Sequence, residues 1–266
     1  MILDGKKASE IWQAELKTRV AQLLRAPKLA IVQVGHTGST DAFVKRKKLF
    51  ADKIGAQVQH LLFGEQVTEA ELLNEIAALN TDPNVDGIII QLPLPNHLNK
   101  NELVATISRE KDVDGLNKSQ FTPATARGIL YLLDHYQILI TGQRVVVVGR
   151  SNLVGKPTAL ALLERGATVT IAHRGTCDLP AITREADILV VAAGSPHLIS
   201  QAHVRSGQVI IDVGITLVDG KLVGDIDRDV VEPIVKAISP VPGGVGPMTV
   251  AALFANLLDT HLSDRY

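Results

Sequence analysis

The sequence predicts an α/β protein of two lobes, each built on a parallel sheet, and two observations carry this prediction. Short aliphatic runs alternate with helical patterns along nearly the whole chain, which is typical of parallel sheets covered by helices. One run, residues 145–148, consists of four valines in a row, the pattern of a central strand buried on both faces.

The first lobe opens with an amphipathic helix over residues 6–24. Its apolar residues fall on one stripe of a helix and are Ala8, Trp12, Leu16, Val20 and Leu24. Strand-like runs then alternate with helical patterns. We expect strands over residues 29–34, 58–63 and 87–91, and helices near residues 40–54, 69–79 and 101–107.

The second lobe opens with a helix near residues 125–135 that leads into the valine strand. After that strand a helical pattern resumes at about Thr158. Beyond it we expect strands over 168–172, 188–192 and 209–213, a hairpin over 217–223 that turns on Asp219-Gly220, and an amphipathic helix over 250–262.

Passages rich in glycine and proline mark the expected lobe boundaries near Phe121 and over residues 239–249. We therefore assign residues 1–121 to an N-terminal catalytic lobe and residues 122–247 to a Rossmann-like nucleotide-binding lobe. The C-terminal helix, residues 248–266, is expected to pack back on the first lobe. Because ligand sites favour domain interfaces and the carboxyl ends of parallel strands, we expect the active site in the cleft between the lobes.

Composition excludes several classes of protein. The 266 residues are 46% hydrophobic and 21% charged, and a net charge of -1 offers no attraction for nucleic acid or an anionic membrane. The single cysteine, Cys177, excludes an internal disulfide and a thiolate metal cluster. Since the sequence shows neither a secretory or transit pattern nor an apolar run of membrane-spanning length, we expect a cytoplasmic protein.

The valine strand runs into the segment 149–157, GRSNLVGKP, and then into a helical pattern. A glycine-bearing turn between a strand and a helix is an anion site, because the free N–H groups of the first helical turn point at a phosphate placed there. Ser151 stands where the usual G-x-G-x-x-G pattern has its second glycine. The segment alone therefore fits either a dinucleotide site or a plain strand-to-helix turn.

The basic run over residues 45–48 looks like a solvated patch, but a helical wheel at about 100° per residue separates its members. Lys45 and Lys48 fall on the polar side. Lys47 falls inside the apolar arc, one turn from Phe43 and one turn from Phe50. Such a lysine either extends its ammonium group to water or serves chemistry with a lowered pKa, and the wheel favours neither.

Several polar residues follow predicted strands or turns. Gln91 ends the third strand, where a turn-stabilising amide is the ordinary interpretation. Asp112 and Asp114 either shape a turn or bind a ring system that donates hydrogen bonds. For Asp225 and Asp227 the structural interpretation is favoured. The eight histidines show no metal-ligand spacing, so we predict no metal site.

Six segments, taken in order, resemble the bifunctional methylenetetrahydrofolate dehydrogenase/methenyltetrahydrofolate cyclohydrolase family of the bacterial FolD type. The resemblance covers nearly the whole chain, and the six together are highly specific. They are residues 43–47 (FVKRK), 91–95 (QLPLP), 111–115 (KDVDG), 149–157 (GRSNLVGKP), 212–215 (DVGI) and 242–249 (PGGVGPMT).

The resemblance implies a two-step reaction in one-carbon metabolism and purine biosynthesis. A hydride passes from 5,10-methylenetetrahydrofolate to a nicotinamide cofactor, and the methenyl product is hydrolysed to 10-formyltetrahydrofolate. By the same resemblance, Lys47 and Gln91 face the one-carbon bridge and Asp114 holds the pterin, and these three form the catalytic set. The hydride step needs alignment, whereas ring opening needs proton transfer, for which Lys47 is suited. A homodimer is implied as well.

The resemblance also assigns the binding residues. The folate-binding residues are Phe43, Lys47, Ile90, Gln91, Leu92, Asp114, Pro242, Gly243, Gly244, Val245 and Gly246. The cofactor-binding residues are Gly149, Arg150, Ser151, Arg174, Ile215 and Thr249. We predict NADP rather than NAD, because the strand over 168–172 is followed by His173 and Arg174, where NAD sites generally place Asp or Glu.

Phe43 departs from the family, which usually has tyrosine there. The missing hydroxyl predicts a weakened cyclohydrolase if it relays a proton, and no change if water replaces it. Two other classes stay open. A shikimate-type NADP dehydrogenase would pair the same kinds of lobe but would not require Lys47 and Gln91. A catalytically silent protein would retain the folate contacts and lose turnover.

Overall fold

The computed structural model describes residues 1–117 and 119–263, without the side chains of Ser39, Leu262 and Ser263. The chain divides into two compact units. The first unit comprises Ile11–Ala124 and the chain from Val250 onward, and the second comprises Met1–Glu10 and Thr125–Thr249. Within the described residues, no helix combines the length and the apolar character needed to cross a membrane.

The second unit includes the first ten residues, whereas the sequence-based boundaries assign them to the N-terminal lobe. Ile2 forms a parallel bridge with Ile238. The N–H of Leu3 donates to the carbonyl oxygen of Ile238 at 2.9 Å, and the N–H of Asp4 donates to the hydroxyl of Tyr136 at 2.9 Å. These bonds hold the start of the chain on the second unit.

Helix α1 (Gly5–Val20) precedes the sheet of the first unit. Strands β1 (Lys28–Val34), β2 (Gln57–Phe63) and β3 (Gly87–Ile90) form a parallel sheet in the order β2-β1-β3. Strands β1 and β3 are aliphatic and almost wholly buried, as their sequences require. The connecting helices are α2 (Gly38–Ile54), α3 (Glu69–Thr81) and α4 (Lys100–Thr106), and α2 and α3 each begin at a threonine capping box.

The second unit contains a five-stranded parallel sheet. Its strands are β4 (Arg144–Val148), β5 (Thr168–Ala172), β6 (Ile188–Val191), β7 (Val209–Asp212) and, after the hairpin β8 (Thr216–Val218) and β9 (Lys221–Val223), β10 (Ala237–Ile238). Their order is β10-β7-β6-β4-β5, so the valine strand β4 is paired on both sides and its four valines are buried. The α/β class and the Rossmann-like parallel sheet are confirmed.

The helices that accompany this sheet are α5 (Ala124–His135), α6 (Gly155–Glu164), α7 (Leu179–Arg184) and α8 (Arg228–Val231). The last helix of the chain is α9 (Val245–Ser263). Helices α7 and α8 and strand β10 were not expected. Each is too short to show a periodic apolar pattern.

Two helices begin earlier than the sequence predicts, for the same reason. Helix α6 begins at Gly155 rather than near Thr158, and α9 begins at Val245 rather than Val250. Pro157 and Pro247 each stand third in their helix. In the first turn an N–H has no partner within the helix, so proline is tolerated there and does not mark a break.

Two expectations about helix faces are wrong. Helix α1 ends at Val20, where the chain tightens into turns, and Leu24 is fully exposed instead of lying on the buried stripe. The other four residues of that stripe are buried. Helix α9 is not amphipathic: residues 251–258 are all buried, so this stretch is covered on every side.

Candidate active site

Lys47 lies on α2 at the border of its buried face. That face is formed by Val44, Phe50, Ala51 and Ile54, and Phe43 and Lys47 are half-buried beside it. The Nζ of Lys47 donates to Oε1 of Gln91 at 2.7 Å. Burial lowers the pKa of Lys47, and the negative charge of Asp114 opposes this shift. The wheel therefore separated this lysine correctly from the exposed Lys45.

Lys48 does not lie on the solvated side as expected. It is half-buried, and its Nζ contacts Nδ1 of His60 at 2.9 Å. The Nε2 of His60 in turn contacts Oε1 of Gln33 at 2.9 Å. Because an ammonium group can only donate, Nδ1 of His60 accepts and its proton lies on Nε2. Lys48 thus belongs to a separate polar cluster from Lys47.

Gln91 follows β3 and is buried. Its N–H donates to the carbonyl oxygen of Val32 at 2.8 Å, which continues the pairing with β1. Its Nε2 donates to the carbonyl oxygen of Leu92 at 2.8 Å. This bond fixes the amide so that Oε1 is directed at Lys47. Ile90 is part of the apolar core of the first unit, and Leu92 packs against that core.

Asp112 and Asp114 differ in their hydrogen bonds. Asp112 is buried and accepts hydrogen bonds from the N–H groups of Gly115 at 3.1 Å and Asn117 at 2.6 Å, so it shapes the turn. Burial raises its pKa to about 6 against these bonds. Asp114 makes no side-chain hydrogen bond within the described chain. Burial raises the pKa of Asp114, and the charge of Lys47 opposes that shift. Of the two carboxyls, Asp114 is therefore the one without a side-chain hydrogen bond in the described chain.

Phe43 lies one helical turn before Lys47. The guanidinium carbon of Arg46 lies 5.8 Å from the centroid of its ring, a cation–π distance. The ring is half-buried, so part of its surface is open. An open aromatic face is suited to stacking on a flat ring system.

In the second unit, Gly149 joins β4 to the turn before α6. Its φ of 121° is accessible to glycine, and a Cβ there would overlap the carbonyl oxygen of Ala192. The Oγ of Ser151 accepts from the N–H groups of Val154 and Gly155, both at 3.2 Å. Ser151 therefore replaces the missing glycine by capping the turn, and the helix N-terminus follows directly after it.

Two arginines come shortly after the ends of the paired strands β4 and β5. Arg150 follows Gly149, and Arg174 follows β5. Both are exposed, and neither guanidinium makes a hydrogen bond or ion pair with any residue the structure describes. Two free guanidinium groups and a helix N-terminus offer donors to phosphate groups.

The segment from Pro242 to Gly246 passes from a loop into α9. The N–H of Lys6 donates to the carbonyl oxygen of Gly243 at 3.0 Å, and Val245 is buried. The exposed Ile215 comes within 3.8 Å of where a Cβ on Gly246 would lie. Val245 and Gly246 belong to the first helical turn rather than to the loop. The hydroxyl of Thr249 donates to the carbonyl oxygen of Val245 at 3.3 Å, within the helix.

Two carboxylates of the second unit, Asp212 and Asp225, are buried, and only Asp212 was not singled out from the sequence. Asp225 accepts from the N–H groups of Ala193, Gly194 and Ser195 at 2.7 to 2.8 Å, which supports its structural interpretation. Asp212 accepts from the N–H of Gly214 at 3.0 Å and from the N–H of Asp225 at 3.0 Å. Burial raises the pKa of Asp212 to about 7. The position of Asp212 at a strand end was the available signal.

Among the residues that the structure describes, no group of three or more histidine, cysteine, aspartate or glutamate side chains could hold a metal ion. The donors gathered around Lys47 and around Gly149 are amine, amide, carboxyl, guanidinium and backbone N–H groups. Such a set fits organic and phosphate ligands.

Two family models match the chain, one after the other. The model described as the catalytic domain of tetrahydrofolate dehydrogenase/cyclohydrolase matches residues 3–114, and the model of the NAD(P)-binding domain of the same enzymes matches residues 123–265. The bifunctional protein FolD of Acholeplasma laidlawii is 43% identical over 275 residues, which covers 100% of this chain and 99% of that protein.

Solved structures agree with these matches. The bifunctional FolD enzyme of Campylobacter jejuni is 38% identical, with a TM-score of 0.96 over 99% of each chain. The FolD of Trypanosoma brucei, solved with NADP cofactor and inhibitor, is 34% identical, with a TM-score of 0.94 over 100% of this chain and 99% of that one. A shikimate dehydrogenase of Peptoclostridium difficile shares only 11% identity at a TM-score of 0.52, a likeness of fold alone.

Proposed function

Since the chain belongs to the tetrahydrofolate dehydrogenase/cyclohydrolase family, we propose that Lys47, Gln91 and Asp114 carry out its folate chemistry. The protein is a bifunctional enzyme of that family. It oxidises 5,10-methylenetetrahydrofolate to the methenyl compound with a nicotinamide cofactor and hydrolyses that product to 10-formyltetrahydrofolate. The family membership does not support the shikimate-type alternative.

The observation that carries the site assignment is the 2.7 Å hydrogen bond from Lys47 to Gln91. A neutral amine that donates one N–H to Oε1 of Gln91 keeps its lone pair free to take a proton from an attacking water. The lowered pKa of Lys47 increases the fraction of this neutral form near neutral pH. The protonated amine can then return the proton to the folate nitrogen as the ring opens.

The hydride step makes different demands on the same residues. The lone pair of the folate nitrogen stabilises the cation that develops on the one-carbon unit, so no protein base is needed. Lys47 and Gln91 contribute alignment in this step. Asp114, whose carboxyl has no partner among the described side chains, accepts hydrogen bonds from the pterin. Phe43, Ile90 and Leu92 supply the apolar surface around the ring.

For the cofactor we propose NADP. The turn at Gly149 and Ser151, with the N-terminus of α6, offers N–H groups to the pyrophosphate. Arg174 and Arg150 have free guanidinium groups suited to bidentate contact with the 2′-phosphate. Ile215, the segment 242–246 and Thr249 are proposed as further ligand contacts by family resemblance. The hydroxyl of Thr249 already donates within α9, so in the proposed contact its oxygen accepts a hydrogen bond.

A homodimer and a cytoplasmic location are proposed as well. Strand β5 lies at the edge of its sheet with most of its side chains exposed. Ile171 on this strand and Leu160 and Leu163 on α6 are exposed apolar residues of the same unit. An open, apolar strand edge is a surface that native proteins cover. Sedimentation velocity should show a dimer that Ile171→Lys shifts toward monomer, and a monomeric native protein contradicts this proposal.

The activity assay that tests the function uses purified protein with 5,10-methylenetetrahydrofolate and either NADP or NAD, and 5,10-methenyltetrahydrofolate for the second step. We expect cofactor reduction in the first assay and ring opening above the spontaneous rate in the second. Folate binding without turnover in either assay would instead identify a silent binding protein.

A further inference from the structure

Asn256 is a fully buried amide in the middle of α9, within an otherwise apolar stretch. Burying an amide without partners is costly, so a buried amide in such a place is held by specific hydrogen bonds. Nothing in the motifs of the sequence singles out this residue.

The bonds of Asn256 lead to the segment that carries Asp114. Its Nδ2 donates to the carbonyl oxygen of Val113 at 2.7 Å and to the carbonyl oxygen of Thr122 at 3.0 Å. Both hydrogens of the amide are thereby used. Just beyond these residues, the N–H of Ala124 donates to the carbonyl oxygen of Asp114 at 3.2 Å. Residues 113–114 and 122–124 are thus held together, and Asn256 ties both to α9.

We propose that Asn256 is a positioning residue for the folate site, because it fixes the peptide from which Asp114 extends. This inference rests on the proposed contact between Asp114 and the pterin. The carbonyl of Val113 belongs to the peptide group that supplies the N–H of Asp114, so a shift of this carbonyl turns the Asp114 side chain. An error of about 1 Å in a positioned group is enough to impair binding or catalysis.

Gln208 provides a matched control in the other unit. It is also fully buried, and its Nε2 donates to the carbonyl oxygens of Thr183 and Ala186, both at 2.8 Å. Neither carbonyl adjoins a residue assigned to the site. The two amides are therefore alike in burial and in donating to two carbonyl oxygens. They differ in the chain segments to which those carbonyls belong.

The first test compares Asn256→Leu with Gln208→Leu. Both variants lose thermal stability, because each removes two hydrogen bonds from a buried amide to backbone carbonyls. For Asn256→Leu we expect the KM for methylenetetrahydrofolate to rise by about tenfold, the scale of a lost buried hydrogen bond, with smaller changes in kcat and in the KM for NADP. Amide hydrogen exchange should rise over residues 113–124. Gln208→Leu should keep the native KM for folate.

The second test uses Asn256→Asp. A neutral carboxyl retains one donor for the two carbonyls, whereas the ionised form has none and is repelled by both. The KM for folate, taken relative to the native enzyme at each pH, should therefore approach the native value as the pH is lowered. Asn256→Leu, which has no donor at any pH, should show no such recovery. A loss of folded enzyme would lower the apparent kcat and leave the KM unchanged, so it would not produce this difference in KM.

Either of two results overturns the inference: a native KM for folate in Asn256→Leu, or an equal rise of that KM in Gln208→Leu. Asp114→Asn separates this failure from a failure of the proposed function. If Asp114→Asn raises the KM for folate and Asn256→Leu does not, only the positioning role is wrong. If neither variant changes that KM, the assignment of Asp114 is wrong and the inference falls with it.

Discussion

Replacing Lys47 with methionine should separate the two activities. Methionine keeps the unbranched stem and removes the amine, so the border of the apolar face of α2 is still filled. What disappears is the 2.7 Å hydrogen bond to Gln91 and the group that transfers protons. Only ring opening needs that proton transfer, so the cyclohydrolase activity should fall far more than the dehydrogenase activity.

The expected magnitudes differ between the two steps. Proton transfer by a positioned side chain is typically worth about 10²- to 10⁴-fold, so the rate of methenyl hydrolysis should fall by that factor toward the spontaneous rate. The hydride step loses the hydrogen bond that aligns the amine with Gln91, a net effect of about 1 kcal/mol or roughly fivefold. The substitution removes a half-buried amine, which favours stability, and leaves Oε1 of Gln91 unpaired, which lowers it. Because the two effects oppose each other, the unfolding temperature should change little.

The assay follows both reactions in the same preparation, by cofactor reduction and by the loss of methenyltetrahydrofolate. Lys48→Met serves as the control, because Lys48 is also half-buried on α2 but contacts His60 instead of Gln91. Lys48→Met should retain both activities. If folded Lys47→Met hydrolyses the methenyl compound at the native rate, Lys47 has only a packing role and the reasoning is refuted.

Three further predictions concern other parts of the molecule. Phe43→Tyr should raise the rate of methenyl hydrolysis selectively if the family's hydroxyl relays a proton. The increase should be smaller than the roughly 100-fold effect of a principal acid or base, and unchanged rates in both steps would limit Phe43 to stacking. Arg174→Gln should raise the KM for NADP by about tenfold and leave that for NAD unchanged, as for the loss of one charged hydrogen bond; equal efficiency with NAD and NADP in the native enzyme contradicts the cofactor assignment. Because burial raises the pKa of Asp212 to about 7, its ionisation costs stability as the pH rises from the usual pKa of an aspartate toward 7. Asp212→Asn should make the free energy of unfolding in urea less dependent on pH between about 4 and 7, and an unchanged dependence rules this out.

Local patterns were sufficient for most of the fold. The strands of both sheets are short, aliphatic and bounded by turn residues, so their existence follows from sequence, with ends displaced by a residue or so. Helix starts were harder where proline occupied the first turn, as at Pro157 and Pro247. The complete burial of residues 251–258 depends on packing from all sides, which a single helix sequence does not reveal.

Local sequence patterns predicted only part of the site. The wheel placed Lys47 inside the apolar arc but could not decide between snorkelling and chemistry. The contact that supports the proposed role is with Gln91, 44 positions away, and it depends on the return of β3 beside β1. Asp112 and Asp114 have the same residue type and similar neighbours in sequence. Only the backbone N–H groups around Asp112 distinguish the turn-forming carboxyl from the free one.

The central claim is that burial holds the pKa of Lys47 below that of the exposed lysines, and its ionisation can be measured directly. In protein labelled with ¹⁵N at lysine Nζ, the nuclear magnetic resonance signal of each amine reports its own titration. The lysine signal that is absent from Lys47→Met should have a midpoint below those of the exposed lysines, since burial lowers the pKa of Lys47. Burial also lowers the pKa of Lys111, so its signal is assigned separately. Methenyl hydrolysis should decline as the pH falls through the midpoint of Lys47, because the neutral amine is the acting base. If Lys47 titrates together with the exposed lysines, the proposed proton transfer is contradicted.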